Sequence, residues 1–309
     1  MLRFGSLRRR IDRAVPVPSL LRAALVLLPI VASTLLHALP LLLLGLAKAL
    51  LPPAGLRRGL NRALAAIAES WIGVNSWMLG AFTPARFEVS CEAGLQADGH
   101  YLVLANHQSW VDIVVLQKVF NRRIPLLRFF LKRQLFWVPV LGLAWWALDF
   151  PFMGRYSHRD IARNPELGKR DLEATRRACE KFRALPVAVM NFVEGTRFTP
   201  DKHARQSPPY RHLLKPKAGG VAFVIDAMGD ALHAVLDVTI AYPCGRPTMV
   251  ELMAGRVPEV RVLVKQRPIP TGVMGGRYQD DRAVRARFQQ WMNGLWEEKD
   301  ADLGRLLER

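Results

Sequence analysis

The chain has 309 residues, half of them hydrophobic and 23% charged, which excludes disorder as its main state and leaves room for one large domain or two modest ones. A mean hydropathy of only +0.08 excludes a polytopic transporter. Ten Lys and 34 Arg against 26 acidic residues give a formal charge of +18, which calls for an anionic counterpart: nucleic acid, lipid headgroups or phosphorylated substrates.

The N-terminal 22 residues carry six Arg against one acid, Asp12, and residues 23–47 then carry no charged side chain. Twenty-five helical residues reach about 37 Å, enough to cross a bilayer core of about 30 Å. The run is too long for a signal-peptide core and no convincing small-x-small cleavage site follows, so it reads as a retained anchor. Pro29 and Pro40 interrupt it, and Lys48, Arg57, Arg58 and Arg62 make its second flank basic as well. These features favour a re-entrant or interfacial hairpin within 20–51; a single span and a buried core helix are the alternatives. Residues 60–82 continue with apolar positions at helical spacing, and Trp71, Trp77 and Phe82 suit either a headgroup boundary or a core.

From residue 86 the texture changes, dividing the chain into 1–85 (basic arm and anchoring helices) and 86–309 (a catalytic-type domain). RFEVSC and HYLVLAN read as strands, 113–120 and 171–185 as helices, 186–197 as a buried strand running into a polar loop. The segments 233–243, 248–255 and 259–269 read as further strands, 282–296 as a closing helix, and the basic, Pro-rich stretch 198–220 as a long loop containing His203 and His212. Strands alternating with helices predict a layered α/β fold. Three distant cysteines, Cys91, Cys179 and Cys244, argue against a disulfide framework, exclude a cysteine-rich zinc site, and read as small buried hydrophobes in a reducing compartment. The basic surplus recurs at 122–133, 155–177 and 202–217 without any nucleic-acid-reading module. Beside a membrane anchor, a basic side facing anionic lipid is the simpler account.

Two patches carry chemistry. In Asn106-His107-Gln108-Ser109-Trp110-Val111-Asp112 the histidine lies at the C-terminal end of a strand, where ligands gather in open α/β sheets. A His in the loop backed by an Asp in the first helical turn makes a general base. Ser109-x-x-Asp112 is also a capping box, and the two roles are compatible. In Glu194-Gly195-Thr196-Arg197, Gly permits close backbone approach, Thr supplies a hydroxyl, Arg a fork for phosphate oxygens, and Glu194 is placed to orient Arg197.

In this order and spacing, NHQSWVD and VEGTR resemble the glycerolipid acyltransferases, in particular the PlsC-like 1-acylglycerol-3-phosphate acyltransferases and their bacterial YihG-type branch. The resemblance covers about residues 86–245 and the hydrophobic segment before them. The family's first block, N-H-x-x-x-x-D, is matched by Asn106, His107 and Asp112, and its E-G-T-R block by Glu194–Arg197. Its second block places an aromatic shortly before an Arg, as Phe150, Phe152 and Arg155 do. Lys132, Pro139 and Gly142 in LKRQLFWVPVLG, Lys217 and Gly219 in LLKPKAGG, and Pro243 in VTIAYP fit less specific family positions; the last departs from the usual V-x-P-V form.

The resemblance implies a mixed, largely parallel sheet flanked by helices, as in the glycerol-3-phosphate acyltransferases. It implies O-acyl transfer from acyl-CoA or acyl carrier protein, as co-substrate and with no cofactor, to a lysophospholipid such as 1-acylglycerol-3-phosphate or lysophosphatidylglycerol. His107 and Asp112 would be catalytic, Arg197 and Arg155 would hold the acceptor phosphate with Glu194, Gly195 and Thr196, and the weaker positions Asn106, Lys132, Phe152, Lys217, Gly219 and Pro243 would line the site, without a metal. It also implies a cytoplasm-facing domain on the inner membrane. A non-catalytic protein binding anionic lipid is the rival of another class; a nucleic-acid binder rests on charge alone.

Overall fold

The computed structural model describes residues 19–50, 54–92, 94–154, 163–183, 185–270, 278 and 281–308. Two long helices, α1 (Ser19–Leu50) and α2 (Ala54–Phe82), precede a six-stranded sheet. The sheet comprises β1 (Arg86–Cys91), β2 (His100–Ala105), β3 (Leu127–Phe129), β6 (Val187–Phe192), β7 (Ala234–Ala241) and β8 (Glu259–Arg267) in the order β1-β8-β7-β2-β6-β3. Every neighbouring pair is parallel except β7 and β8. A two-stranded sheet, β4 (Leu131–Lys132) with β5 (Phe152–Met153), stands apart. The helices among and after the strands are α3 (Val111–Phe120), α4 (Leu141–Ala147), α5 (Pro165–Arg183), α6 (Pro200–Gln206), α7 (Ala218–Met228), α8 (Met249–Met253) and α9 (Arg282–Glu308).

The central strands are apolar on both sides because both sides are covered. In β2, Leu102 and Leu104 join Cys179 of α5, Val221 of α7 and Trp296 of α9. Tyr101, Val103 and Ala105 point the other way, into a core with Val115 of α3, Leu252 of α8 and Val26 of α1. The chain thus has the mixed, mostly parallel sheet between helices that its sequence predicts.

Four local expectations change. The hairpin within 20–51 does not form: α1 runs unbroken through Pro29 and Pro40, and the antiparallel partner is α2. Trp71 donates to Thr34 at 3.0 Å and His37 meets Ser70 at 3.2 Å, so the α1–α2 interface has a polar seam. The stretch 248–255 is not a strand; Thr248 and Glu251 form a reciprocal capping box that starts α8. The 198–220 loop contains α6, capped by Thr199, and the start of α7. Of the cysteines only Cys179 is fully buried; Cys91 is half-buried and Cys244 exposed. Trp77 and Phe82 are exposed, as a headgroup boundary would require, whereas Trp71 is half-buried.

Candidate active site

Three parallel strands deliver their C-terminal ends to one edge of the sheet. Ala105 pairs with Phe192 of β6 and Val238 of β7, so the loops after β2 and β6 leave side by side while β7 runs on to Ala241, with Tyr242 just beyond its end. Asn106 ties the first loop down: fully buried, its side chain donates to Ile240 O at 2.9 Å and accepts from Ile240 N–H at 2.8 Å. That makes Asn106 a clamp between strands.

His107 and Asp112 meet. Nδ1 lies 2.8 Å from Asp112 Oδ2, which also accepts N–H bonds from Gln108 at 2.6 Å and Ser109 at 2.8 Å, while Tyr242 donates its hydroxyl to Oδ1 at 2.6 Å. Such a carboxylate acts only as acceptor, so the histidine carries its proton on Nδ1 and presents the Nε2 lone pair. Among the described residues Nε2 makes no hydrogen bond, and the imidazole stacks on Phe192 with centroids 3.9 Å apart. Burial and the Asp112 charge push the Tyr242 phenol well above its ordinary range, so it stays a neutral donor. The capping box expected of Ser109-x-x-Asp112 forms only in part: Asp112 accepts from Ser109 N–H, but the Ser109 hydroxyl accepts from Val111 N–H at 3.0 Å and donates to Pro247 O, and Trp110 is the N-cap of α3 without a side-chain cap bond.

Gly195 adopts φ +68, a left-handed turn natural for glycine, and a Cβ there would meet the Lys217 side chain at 3.0 Å. The exposed Lys217 therefore lies over Gly195, while Thr196 accepts from Lys202 Nζ at 2.7 Å. Arg197 is exposed and sits over the Trp110 ring, 4.6 Å from its centroid, which places its guanidinium beside the His107 loop. Glu194 does not orient it. This carboxyl is fully buried and accepts N–H bonds from His107 at 2.8 Å and Leu214 at 3.0 Å, so it braces the loop from below and is withdrawn from any acceptor. Burial pushes its pKa up to about 8 despite those two donors.

The weaker positions scatter. Lys132 is exposed on β4, and Phe152 on β5 meets Phe136 edge-on at 5.6 Å, both in the small sheet. Phe150 stacks on Phe129, Phe129 on Phe192 and Phe192 on His107, so that block reaches the His107 ring through aromatic contacts. Gly219 lies in the first turn of α7, where a Cβ would meet the Tyr278 hydroxyl at 3.9 Å. Pro243 is half-buried in the turn after Tyr242. Arg155 lies outside the described residues. Sequence reasoning missed Tyr242 and Arg246. Arg246 donates to Gln108 Oε1 and covers the Phe198 ring at 3.9 Å, giving a second guanidinium next to the loop. Only the strand signal before Pro243 pointed near them.

A family model described as Acyltransferase matches residues 86–243. The 1-acyl-sn-glycerol-3-phosphate acyltransferase gamma of Mus musculus is 25% identical over 215 residues, 65% of this chain and 52% of that protein. Lysocardiolipin acyltransferase 1 of Danio rerio is 32% identical over 138 residues, 40% of this chain and 32% of that protein. The match thus spans about half, or less, of the length of these curated relatives. The crystal structure of the 1-acyl-sn-glycerophosphate (LPA) acyltransferase PlsC from Thermotoga maritima shares the fold, with a TM-score of 0.50 at 15% identity over 91% of this chain and 97% of that one.

Proposed function

The chain belongs to the acyltransferase family, and from that premise we propose that it is a membrane-associated lysophospholipid O-acyltransferase acting on 1-acylglycerol-3-phosphate. The observation that carries this reading is the histidine whose Nδ1 is held by a buried carboxylate, in a loop whose Trp110 ring carries the Arg197 guanidinium. His107 Nε2 takes the proton of the acceptor hydroxyl as its oxygen attacks the thioester carbonyl, and Asp112 stabilises the imidazolium. Collapse of the adduct releases the thiolate, which takes the proton back from Nε2, so no covalent acyl-enzyme is needed. Arg197 holds the acceptor's phosphate, with Lys217 and Thr196 beside it. Positioning and charge stabilisation supply what base catalysis, worth about 10²–10⁴-fold, does not. Acyl-CoA and acyl carrier protein are the donor candidates, and the YihG-type branch remains our assignment from the motifs.

One observation favours a second acceptor class. The relative at 32% identity carries the name lysocardiolipin acyltransferase, which supports a phosphodiester lysolipid such as lysophosphatidylglycerol.

Membrane attachment rests on α1, whose residues 21–50 are long and apolar enough to cross a bilayer. The helix also lies along the domain: Val26 packs with Leu79 and the sheet, Leu41 with Ala147 of α4. Its opposite side exposes Leu25, Leu28, Leu35, Leu39, Leu43 and Leu46 at helical spacing. A helix seated on its own domain with an outward leucine stripe suits in-plane attachment to one leaflet, taken here as the cytoplasmic face of the inner membrane. The deciding experiment is a lysolipid panel with both donors, using His107→Ala as the blank. Acylation of lysophosphatidate lost in the blank is expected; turnover equal to wild type in His107→Ala would remove the mechanism.

A further inference from the structure

The segment between β4 and β5 has no part in the chemistry above, yet it is built to present aromatic side chains outward. Residues 131–148 contain no acidic residue and begin with exposed Lys132 and Arg133. Trp137, at the end of a 3₁₀ turn (Arg133–Trp137), is 80% exposed; Leu143 and Trp146 of α4 are 46% and 45% exposed.

The platform beneath them is rigid. Val140, β-branched, adopts φ +64, a conformation that only a firmly determined turn retains. Gly142 N–H donates to Val138 O at 2.8 Å, and a Cβ on Gly142 would fall inside the Phe136 carbonyl. The same segment docks on α1. Lys48 Nζ donates to Ala147 O at 2.9 Å, and the Trp146 ring edge lies 3.9 Å from where a Gly45 Cβ would stand, between exposed Leu43 and Leu46. Trp146 therefore lies beside the leucine stripe, and Trp137 is exposed on the turn that leads into the same helix, α4.

We propose that the Lys132–Trp146 segment is a second lipid-contact surface, which seats Trp137 and Trp146 at the headgroup level of an anionic leaflet and fixes the tilt of the catalytic domain against it. Indole combines an apolar body with one polar N–H and so belongs at that boundary. Lys132 and Arg133 beside it match anionic lipid, where each cation near the surface adds about 1 kcal/mol of attraction. A protein partner would have to match both these tryptophans and the leucines of the adjoining anchor helix; a leaflet already in contact with α1 covers both at once. The proposal rests on the membrane part of the reading above and is independent of acyl transfer.

The test places single nitroxide labels at 137, 146 and 39 (Trp137→Cys, Trp146→Cys, Leu39→Cys) in the full chain with Cys91→Ser and Cys244→Ser, Cys179 being buried. Each variant is reconstituted in phosphatidylcholine–phosphatidylglycerol vesicles, with near-UV circular dichroism confirming the native fold. Collision with oxygen, which partitions into lipid, is compared with collision with a water-soluble nickel chelate. Oxygen-dominated relaxation at 137 and 146, as at 39, is the expected result. Chelate-dominated relaxation at either 137 or 146, with 39 still in lipid, overturns the surface and leaves the α1 anchor standing. Chelate-dominated relaxation at all three removes the membrane reading and this surface with it. Loss of turnover alone touches neither.

Discussion

Four hydrogen-bond donors converge on the carboxylate of Asp112, and their joint effect is to decide which nitrogen of His107 is basic. Asp112→Asn keeps the shape but places an amide NH₂ where only acceptors fit, so either an N–H donor loses its partner or the histidine tautomer inverts. Turnover should fall by about 10²–10⁴-fold with the acceptor KM nearly unchanged, as read by thiol release in the presence of lysophosphatidate; a kcat within threefold of wild type would make Asp112 a helix cap and nothing more. Glu194 gives a pH signature. Burial raises its folded-state pKa to about 8, so between the ordinary carboxylate range and about pH 8 the folded state binds more protons than the unfolded one. Stability from this group is therefore full at low pH and declines as pH rises through that window. Glu194→Gln does not titrate there. The stability of wild type relative to the variant should drop by on the order of a few kcal/mol between pH 5.5 and 8.5, measured from urea midpoints; a constant difference would mean that Glu194 keeps one charge state throughout.

At the scale of elements, the C-terminal helix is wired to the His107 loop. Trp296 Nε1–H donates to Leu214 O at 3.1 Å, Leu214 N–H to Glu194, and His107 N–H to the other oxygen of the same carboxyl. Asp300 accepts the N–H groups of Arg211 and His212 at 2.8 and 2.7 Å, holding the intervening loop against α9. Trp296→Phe removes the indole N–H and, at a fully buried position, part of the ring volume, so it should cost on the order of 2–4 kcal/mol of stability. It should also lower kcat several-fold at constant KM; a stability loss with kcat intact would confine α9 to a packing role. This wiring was not legible in the sequence, because residues 214 and 296 are joined by a backbone carbonyl, which leaves no residue-type signature. The strands β2, β6 and β7 were legible, since burial on both faces makes them continuously apolar. The His107–Asp112 pair was legible because strand, loop and first helical turn together fix its spacing. The 248–255 error came from reading alternating apolar residues as a strand when Thr248-x-x-Glu251 carried the stronger, capping signal. Arg197 was assigned to Glu194 by adjacency alone, yet burial turned that carboxyl inward to backbone N–H groups, and the guanidinium found the Trp110 face instead.

For the whole molecule, the proposed membrane attachment of a +18 protein poses the question of what would hold it there: charge, apolar surface or both. The two contributions separate by salt. At 1 M salt the screening length is about 3 Å, so attraction between exposed cations and anionic lipid is largely lost, while burial of leucines is not weakened. Leu28, Leu35, Leu39 and Leu46 lie on the outward side of α1, all more than half exposed and turned away from the domain core. Replacing all four by Ser leaves the packed side with Val26 and Leu41 untouched, and removes roughly 6–12 kcal/mol of insertion free energy at about 1.5–3 kcal/mol per leucine. Wild-type chain should therefore stay with the membrane pellet in 1 M salt. The four-serine variant should remain bound at low salt through its cations and be released by 1 M salt. Retention of that variant at high salt would show that α1 is not the principal anchor; release of the wild type would show that charge alone holds the protein to the bilayer.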